Sequence, residues 1–163
     1  MDCGKIYIDG QDVSMLNEKE KYRFKQEHIA IIFQFYNLIE VLTLKENIVL
    51  PLKLAKKKID EHMLNEYVEQ LRLSEHINRF PNECSGGQQQ RAAIIRALMC
   101  KSKIILADEP TGNLDEANTK EVIEILKKIN KEYEVTIIMV THDKELAKNA
   151  HREIIMSDGQ ILP

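Results

Sequence analysis

The chain has 163 residues, 44% hydrophobic and 30% charged, with a net charge of −3. That length holds one domain with a real core and excludes two ordinary ones. Lysine and glutamate are mixed along the chain, which excludes a basic face for DNA or RNA, and no run of about 18 apolar residues exists to span a bilayer.

In chain order, Lys5 to Asp9 reads as a strand turning at Asp9-Gly10. Glu18 to Gln26 is polar and short, a surface helix, and His28 to Phe33 is an apolar β-branched run expected to form a buried strand. Thr43 and Glu46 have the T-x-x-E spacing of a capping box, and Pro51 is expected to end or kink the helix they start. Asp60 caps a further helix, with Leu64, Tyr67, Val68 and Leu71 on one face. Pro81 to Gly87 reads as a loop and Gln88 to Cys100 as a helix. Ile104 to Asp108 is a strand, and Asp115 caps a helix whose stripe is Val122, Ile125, Leu126 and Ile129. Val135 to Val140 is a strand, Lys144 to Asn149 a helix, and Glu153 to Met156 a strand before a turn at Asp158-Gly159. Strand–helix alternation predicts an α/β fold with a parallel sheet. The helical section 43–97 reads as an inserted subdomain of one domain over 1–163.

The N-terminus, Met1 to Lys5, has no apolar stretch after its charges and is not a secretory signal. Cys3, Cys84 and Cys100 are odd in number and form no C-x-x-C pair, so neither a disulfide framework nor a zinc site is expected. A cytoplasmic location is the resulting expectation. Lys56-Lys57-Lys58 reads as a solvated helix end rather than a nucleic-acid or lipid patch.

Four groups of residues can carry chemistry. Ile104 to Glu109 is an apolar strand ending in two carboxylates, at the sheet edge where α/β proteins bind ligands. Asp108 there suits Mg²⁺ held through water, and Glu109 suits a general base. A strand simply ending in two solvated acids explains the pair equally well when it is taken alone. Cys84-Ser85-Gly86-Gly87-Gln88 precedes a helix. Its glycines let backbone N–H groups approach an anion, and Ser85 and Gln88 can add side-chain bonds to phosphate oxygens. His142, after an apolar strand, falls at the same edge as Asp108, within reach of a γ-phosphate. Gln34 follows another strand and could meet Mg²⁺ and the attacking water through its amide. A lone histidine or glutamine says little; the order of the four says more.

In that order the chain resembles the ATP-binding-cassette (ABC) transporter ATPases. Cys84 to Arg91 is similar to the L-S-G-G-Q signature with its Gln-Gln-Arg tail, and Ile104 to Glu109 to the Walker B motif. Asp108 to Asp115 continues into the D-loop, His142 matches the switch histidine, and Gln34 the Q-loop glutamine. Phe33 to Ile39 and Leu44 to Leu52 resemble the macrolide-exporter and lipoprotein-release group, which includes antimicrobial-peptide transporters. The resemblance implies a P-loop NTPase-like fold and an ATP-binding subunit that couples hydrolysis to export or mechanical work. It implies ATP and Mg²⁺ as cofactors. Glu109, His142 and Gln34 would be catalytic, and Asp108 and Gln34 would face the metal. Ser85, Gly86, Gly87, Gln88 and Asp115 would face nucleotide. Partners would be a transmembrane permease subunit, docked around Phe35 to Leu52, and a second ABC ATPase subunit in a homo- or heterodimer. The location would be the inner face of the membrane. A soluble ABC protein of DNA repair or translation is disfavoured, because there are no long heptads and no second cassette.

Two departures from the family pattern stand out. Cys84 occupies a position where leucine is usual, either as a packing residue or as a reactive thiol. No G-x-x-x-x-G-K-S/T occurs, and Gly4-Lys5 lacks the rest of that motif. The resemblance therefore implies that the N-terminal strands, the P-loop, the first helix and the adenine-stacking aromatic are missing. The isolated chain is then expected to bind ATP weakly or not at all, and to show an unpaired edge and an uncovered apolar face. An alternative follows: a non-catalytic fragment lending only Ser85, Gly87 and Gln88 to a full-length partner.

Overall fold

The computed structural model describes residues 4–162. The readings that fall on Met1, Asp2 and Cys3 lie outside the described residues. The expected first strand is shorter than predicted: Tyr7–Ile8 (β1) pairs with Gln11–Asp12 (β2) across Asp9 and Gly10, both at positive φ. Helix α1, Glu18–His28, starts at Asn17 with a complete capping box to Glu20. It feeds directly into β3, Ile29–Ile32.

Helix α2, Leu44–Leu54, has the predicted Thr43–Glu46 capping box. Pro51 neither ends nor visibly interrupts it. Proline removes only one ladder donor, and it sits near the C-terminal end of a helix held by the buried side chains of Leu44, Ile48 and Leu52. Helix α3, Glu61–Gln70, is capped by Asp60 and buries Leu64, Tyr67 and Val68 as its spacing predicts. Helix α4, Gly86–Met99, begins two residues earlier than predicted because Ser85 is its N-cap. Strand β4, Ile104–Asp108, falls where expected. Helix α5, Glu116–Tyr133, buries Val122, Ile123, Leu126 and Ile129, and Ile125 packs at the rim of the core. Strand β5 is Thr136–Val140, and α6 is the short Lys144–Ala147.

Strands β3, β4 and β5 form one parallel sheet in that order. The predicted strand Glu153 to Met156 does not join it. Ile154 and Ile155 are exposed, and only Met156–Ser157 (β6) pairs, with Gln160–Ile161 (β7), in a separate hairpin over Asp158-Gly159. An apolar sequence favours a strand there, but no neighbour supplies a ladder.

The sheet has two unlike faces. Ala30, Ile32, Ile105 and Ala107 are buried in one continuous core with α2, α3, α4 and α5. Each fully buried aliphatic side chain there contributes about 1.5–3 kcal/mol. On the other face Ile31, Leu106 and Ile138 lie side by side in register, with Ile31, Ile138 and Val140 exposed. Helix α4 touches α2, α3, α5 and β3, so the turn at its start is fixed relative to the sheet.

Candidate functional site

Strand β4 is buried along Ile105 and Ala107 and delivers Asp108, exposed, and Glu109 to the C-terminal edge of the sheet. Glu109 has φ +43, a left-handed conformation costly for a residue with a Cβ. It is held there because its N–H donates to Val140 O and its carbonyl accepts from Gly112 N–H, each at 3.0 Å. Its carboxylate faces the loop after β5. Glu109 Oε1 accepts the backbone N–H of His142 at 2.8 Å and lies 3.5 Å from His142 Nε2. The Glu109 side chain is 17% exposed and that of His142 98%. One carboxylate oxygen is thereby oriented and the other remains able to accept a proton, as a general base requires.

The second group is at the start of α4. Ser85 Oγ accepts the Gln88 N–H at 3.3 Å, and Gln88 Oε1 accepts the Ser85 N–H at 2.8 Å. The capping box uses only acceptor atoms, leaving the Ser85 hydroxyl proton and the Gln88 Nε2 hydrogens for another acceptor. Gly86 and Gly87 occupy the first helical turn, which carries no acidic residue, unlike those of α1, α2, α3 and α5. Free N–H groups and the helix dipole favour an anion there. Side chains also approach both glycines closely. A Cβ on Gly86 would lie 2.6 Å from the Tyr36 hydroxyl, and one on Gly87 would overlap the Asn118 amide.

Asp115 caps α5, taking the Asn118 N–H at 2.8 Å, with the Asn118 amide on both its carboxylate oxygens. Those bonds hold its carboxyl below the ordinary carboxylate range, the backbone bond first. Because the same Asn118 amide faces Gly87, the structure brings Asp115 next to the Ser85–Gln88 turn. Gln34 lies beside the loop that follows Glu109: its carbonyl accepts from Asn113 Nδ2 at 3.0 Å, and its amide lies where a Gly112 side chain would be.

Among the described residues no hydrogen bond runs directly from Ser85–Gln88 to Asp108, Glu109 or His142. Gln90, fully buried on α4, joins the two groups by donating from Nε2 to Pro110 O at 2.6 Å. Asn118 and Arg96 lie outside the motifs of the sequence, and Gln90 and Tyr36 lie inside them with no role assigned. Gln90 does leave a signal: a polar residue on the stripe it shares with Ile94 and Ala97 needs a buried partner. Cys84 is half-buried against the core and burial pushes its thiol pKa up, which favours a packing role over a reactive one.

The described residues fit part of what the implied cofactors require. Asp108 offers an exposed carboxylate, and no cluster of three or more His, Cys, Asp or Glu exists among the described residues to hold a metal by itself. Mg²⁺ suits such a site, since it takes one or two carboxylates and fills the rest of its shell with phosphate and water. The glycine turn fits an oxyanion such as a phosphate of ATP.

Residues 1–112 match the family model described as ABC transporter. The lipoprotein-releasing system ATP-binding protein LolD of Aquifex aeolicus is 45% identical over 98% of this chain and 71% of its own length. The bacitracin export ATP-binding protein BceA of Halalkalibacterium halodurans is 42% identical over 97% of this chain, which spans 63% of that protein. The macrolide export ATP-binding/permease protein MacB of Campylobacter jejuni is 46% identical over 98% of this chain, which spans 25% of that protein. Among solved structures, the dimeric ATP-binding cassette MJ0796 bound to ADP and Pi superposes with a TM-score of 0.85 at 36% identity, covering 98% of this chain and 72% of that one. The likeness extends over nearly the whole chain, the carboxylate edge as well as the glycine turn, so the alternative of a fragment lending only its signature is not favoured.

Proposed function

The chain belongs to the ABC transporter family, and on that premise we propose that it is an ATP-binding subunit coupling ATP hydrolysis to export or mechanical work by a membrane partner. The observation that carries this reading is the Glu109–His142 pair at the sheet edge beside the exposed Asp108. Bound Mg²⁺ would neutralise developing charge on the phosphates. Asp108 would hold it through water, and the Gln34 amide, beside Gly112, would be a second group for it. Glu109 would take the proton of the attacking water, and His142, exposed beside it, would reach the γ-phosphate. No stretch of these residues spells a P-loop, so the lysine-bearing cradle for the β- and γ-phosphates is assigned to no residue here.

The turn Ser85–Gln88 and Asp115 would face nucleotide from across a dimer, with the donors left free by the capping box pointing to its phosphates. A dimeric arrangement is supported by the likeness to the MJ0796 cassette, whose structure is a dimer. A permease partner is supported by the likeness to the macrolide export ATP-binding/permease protein. No helix among the described residues is long and apolar enough to cross a membrane; the proposed place at the inner face of the membrane rests on the likeness to the ATP-binding/permease protein. The helical section 43–97 is read as the subdomain that carries the glycine turn, and Phe35 to Leu52 as the docking region. Magnesium-dependent ATP turnover by the protein assembled with its membrane partner tests the site. Asp108→Asn should lower turnover at least about tenfold; turnover equal to wild type would remove Asp108 from the metal site.

A further inference from the structure

The end of β4 opposite Asp108 borders a cavity of about 460 Å³ between α3, α4 and the end of α5. That volume is in the range of small-molecule sites. Met63, Leu98, Ile105 and Val135 give it an apolar floor. Ser102, 6% exposed, lines it as well, and its hydroxyl is buried with no hydrogen-bond partner among the described residues. A buried hydroxyl is seldom left so, and a ligand N–H would satisfy it.

Two aromatic rings add a wall. Tyr67 and Tyr133 both line the cavity and meet edge to face, with centroids 5.6 Å apart and planes at 86°. Perpendicular rings make a corner, and the negative ring faces of such a corner attract a cation. Tyr67 is buried and Tyr133 partly exposed, so one ring is fixed by packing and the other is reached from solvent. Burial first, then the neighbouring Tyr133 and Glu66, push the Tyr67 pKa up, which keeps the phenol neutral.

The charges around the cavity favour the same kind of ligand. Glu66, Lys101, Lys103 and Glu134 are the charged side chains that line it. Both lysines are already paired with acids outside the lining, Lys101 with Asp60 at 3.7 Å and Lys103 with Asp9 at 2.6 Å. Glu66 accepts only from the Gln70 amide, at 3.3 Å. Neither Glu66 nor Glu134 pairs with a cation among the described residues. Two carboxylates are thereby left unbalanced beside the aromatic corner.

We propose that this cavity binds an organic ammonium ion with an apolar body, held by the Tyr67–Tyr133 corner, the carboxylates of Glu66 and Glu134 and the Ser102 hydroxyl. The ammonium charge balances the carboxylates, its N–H groups meet the hydroxyl, and its body covers the floor. An anion of the same shape meets two unpaired acids instead. The cavity is at the other end of β4 from the Glu109–His142 pair, so its occupancy does not depend on how that pair is read.

Chemical-shift titration of the full chain tests the site with probes of one shape: phenethylammonium, neutral phenethyl alcohol and the anion hydrocinnamate. The ammonium should shift the amides of Leu98, Ser102 and Val135 saturably, with a Kd of about 10 mM or tighter for a ligand of this size. The alcohol should bind about threefold more weakly than the ammonium, and the anion about tenfold more weakly. Glu66 and Glu134 are exposed, so Glu66→Gln combined with Glu134→Gln leaves the core intact. That double variant should weaken the ammonium at least about threefold and leave the alcohol as in wild type. Three results would each overturn the proposal: those amides unshifted by the ammonium at about 10 mM, hydrocinnamate bound as tightly as the ammonium, or the ammonium bound by the double variant as by wild type.

Discussion

Glu109 Oε1 accepts the backbone N–H of His142 at 2.8 Å, so the residue at the end of β4 sets the entry of the loop after β5. The bond uses the His142 main chain, which makes it insensitive to the imidazole. Glu109→Gln keeps an oxygen at that position, and its thermal midpoint should stay near wild type. Glu109→Ala leaves the N–H without its acceptor and should cost about 1 kcal/mol, a fall of a few degrees in melting temperature. Equal midpoints for the two variants would show that the bond contributes nothing to the fold.

The loop before α2 depends on one side chain. Asn47, buried, accepts from Ile39 N–H and donates to the carbonyls of Ile39, Leu42 and Thr43. It fixes a segment that displays Phe35, Ile39 and Val41 to solvent. Asn47→Ala orphans several buried backbone groups and should lower stability by about 2–4 kcal/mol in denaturant unfolding. It should also weaken binding to the membrane partner. Unchanged association in a folded variant would place docking elsewhere.

Much of this architecture is legible in sequence because its signals are local. Thr43–Glu46, Asp60 and Asp115 announce helix starts, and all three act as caps. The run Ile104 to Asp108 is a strand by composition alone and brings its acids to the sheet edge. What sequence does not show is set by contacts distant along the chain. Arg96 meets Tyr36 and Asn37 across about sixty residues, and Gln90 meets Pro110 across twenty. The departures from expectation have similar causes. The intrinsic cost of Pro51 is outweighed by tertiary burial on α2, and the apolar content of Glu153 to Met156 finds no partner strand.

Asp115 gives a pH dependence of known sign. Hydrogen bonds from the Asn118 N–H and amide hold its folded pKa below the ordinary 3.8. A depressed carboxyl adds stability that is complete above the unfolded value and lost as pH falls through the folded one. Asp115→Asn should therefore be less stable than wild type near neutrality, with a gap that is constant down to about pH 5 and closes below about pH 4. Paired unfolding curves across that range check it. A gap that persists at about pH 2 would mean that the cap does not depend on the carboxylate charge.

The role proposed for Glu109 is that of the base in an ATP-hydrolysing subunit. It is tested by ATP turnover of the protein assembled with its membrane partner, comparing wild type with Glu109→Gln. The variant keeps the bond to His142 and differs by the proton acceptor. Its kcat should fall about a hundredfold or more, with KM changed by less than a few-fold. A kcat within about twofold of wild type would contradict the assignment.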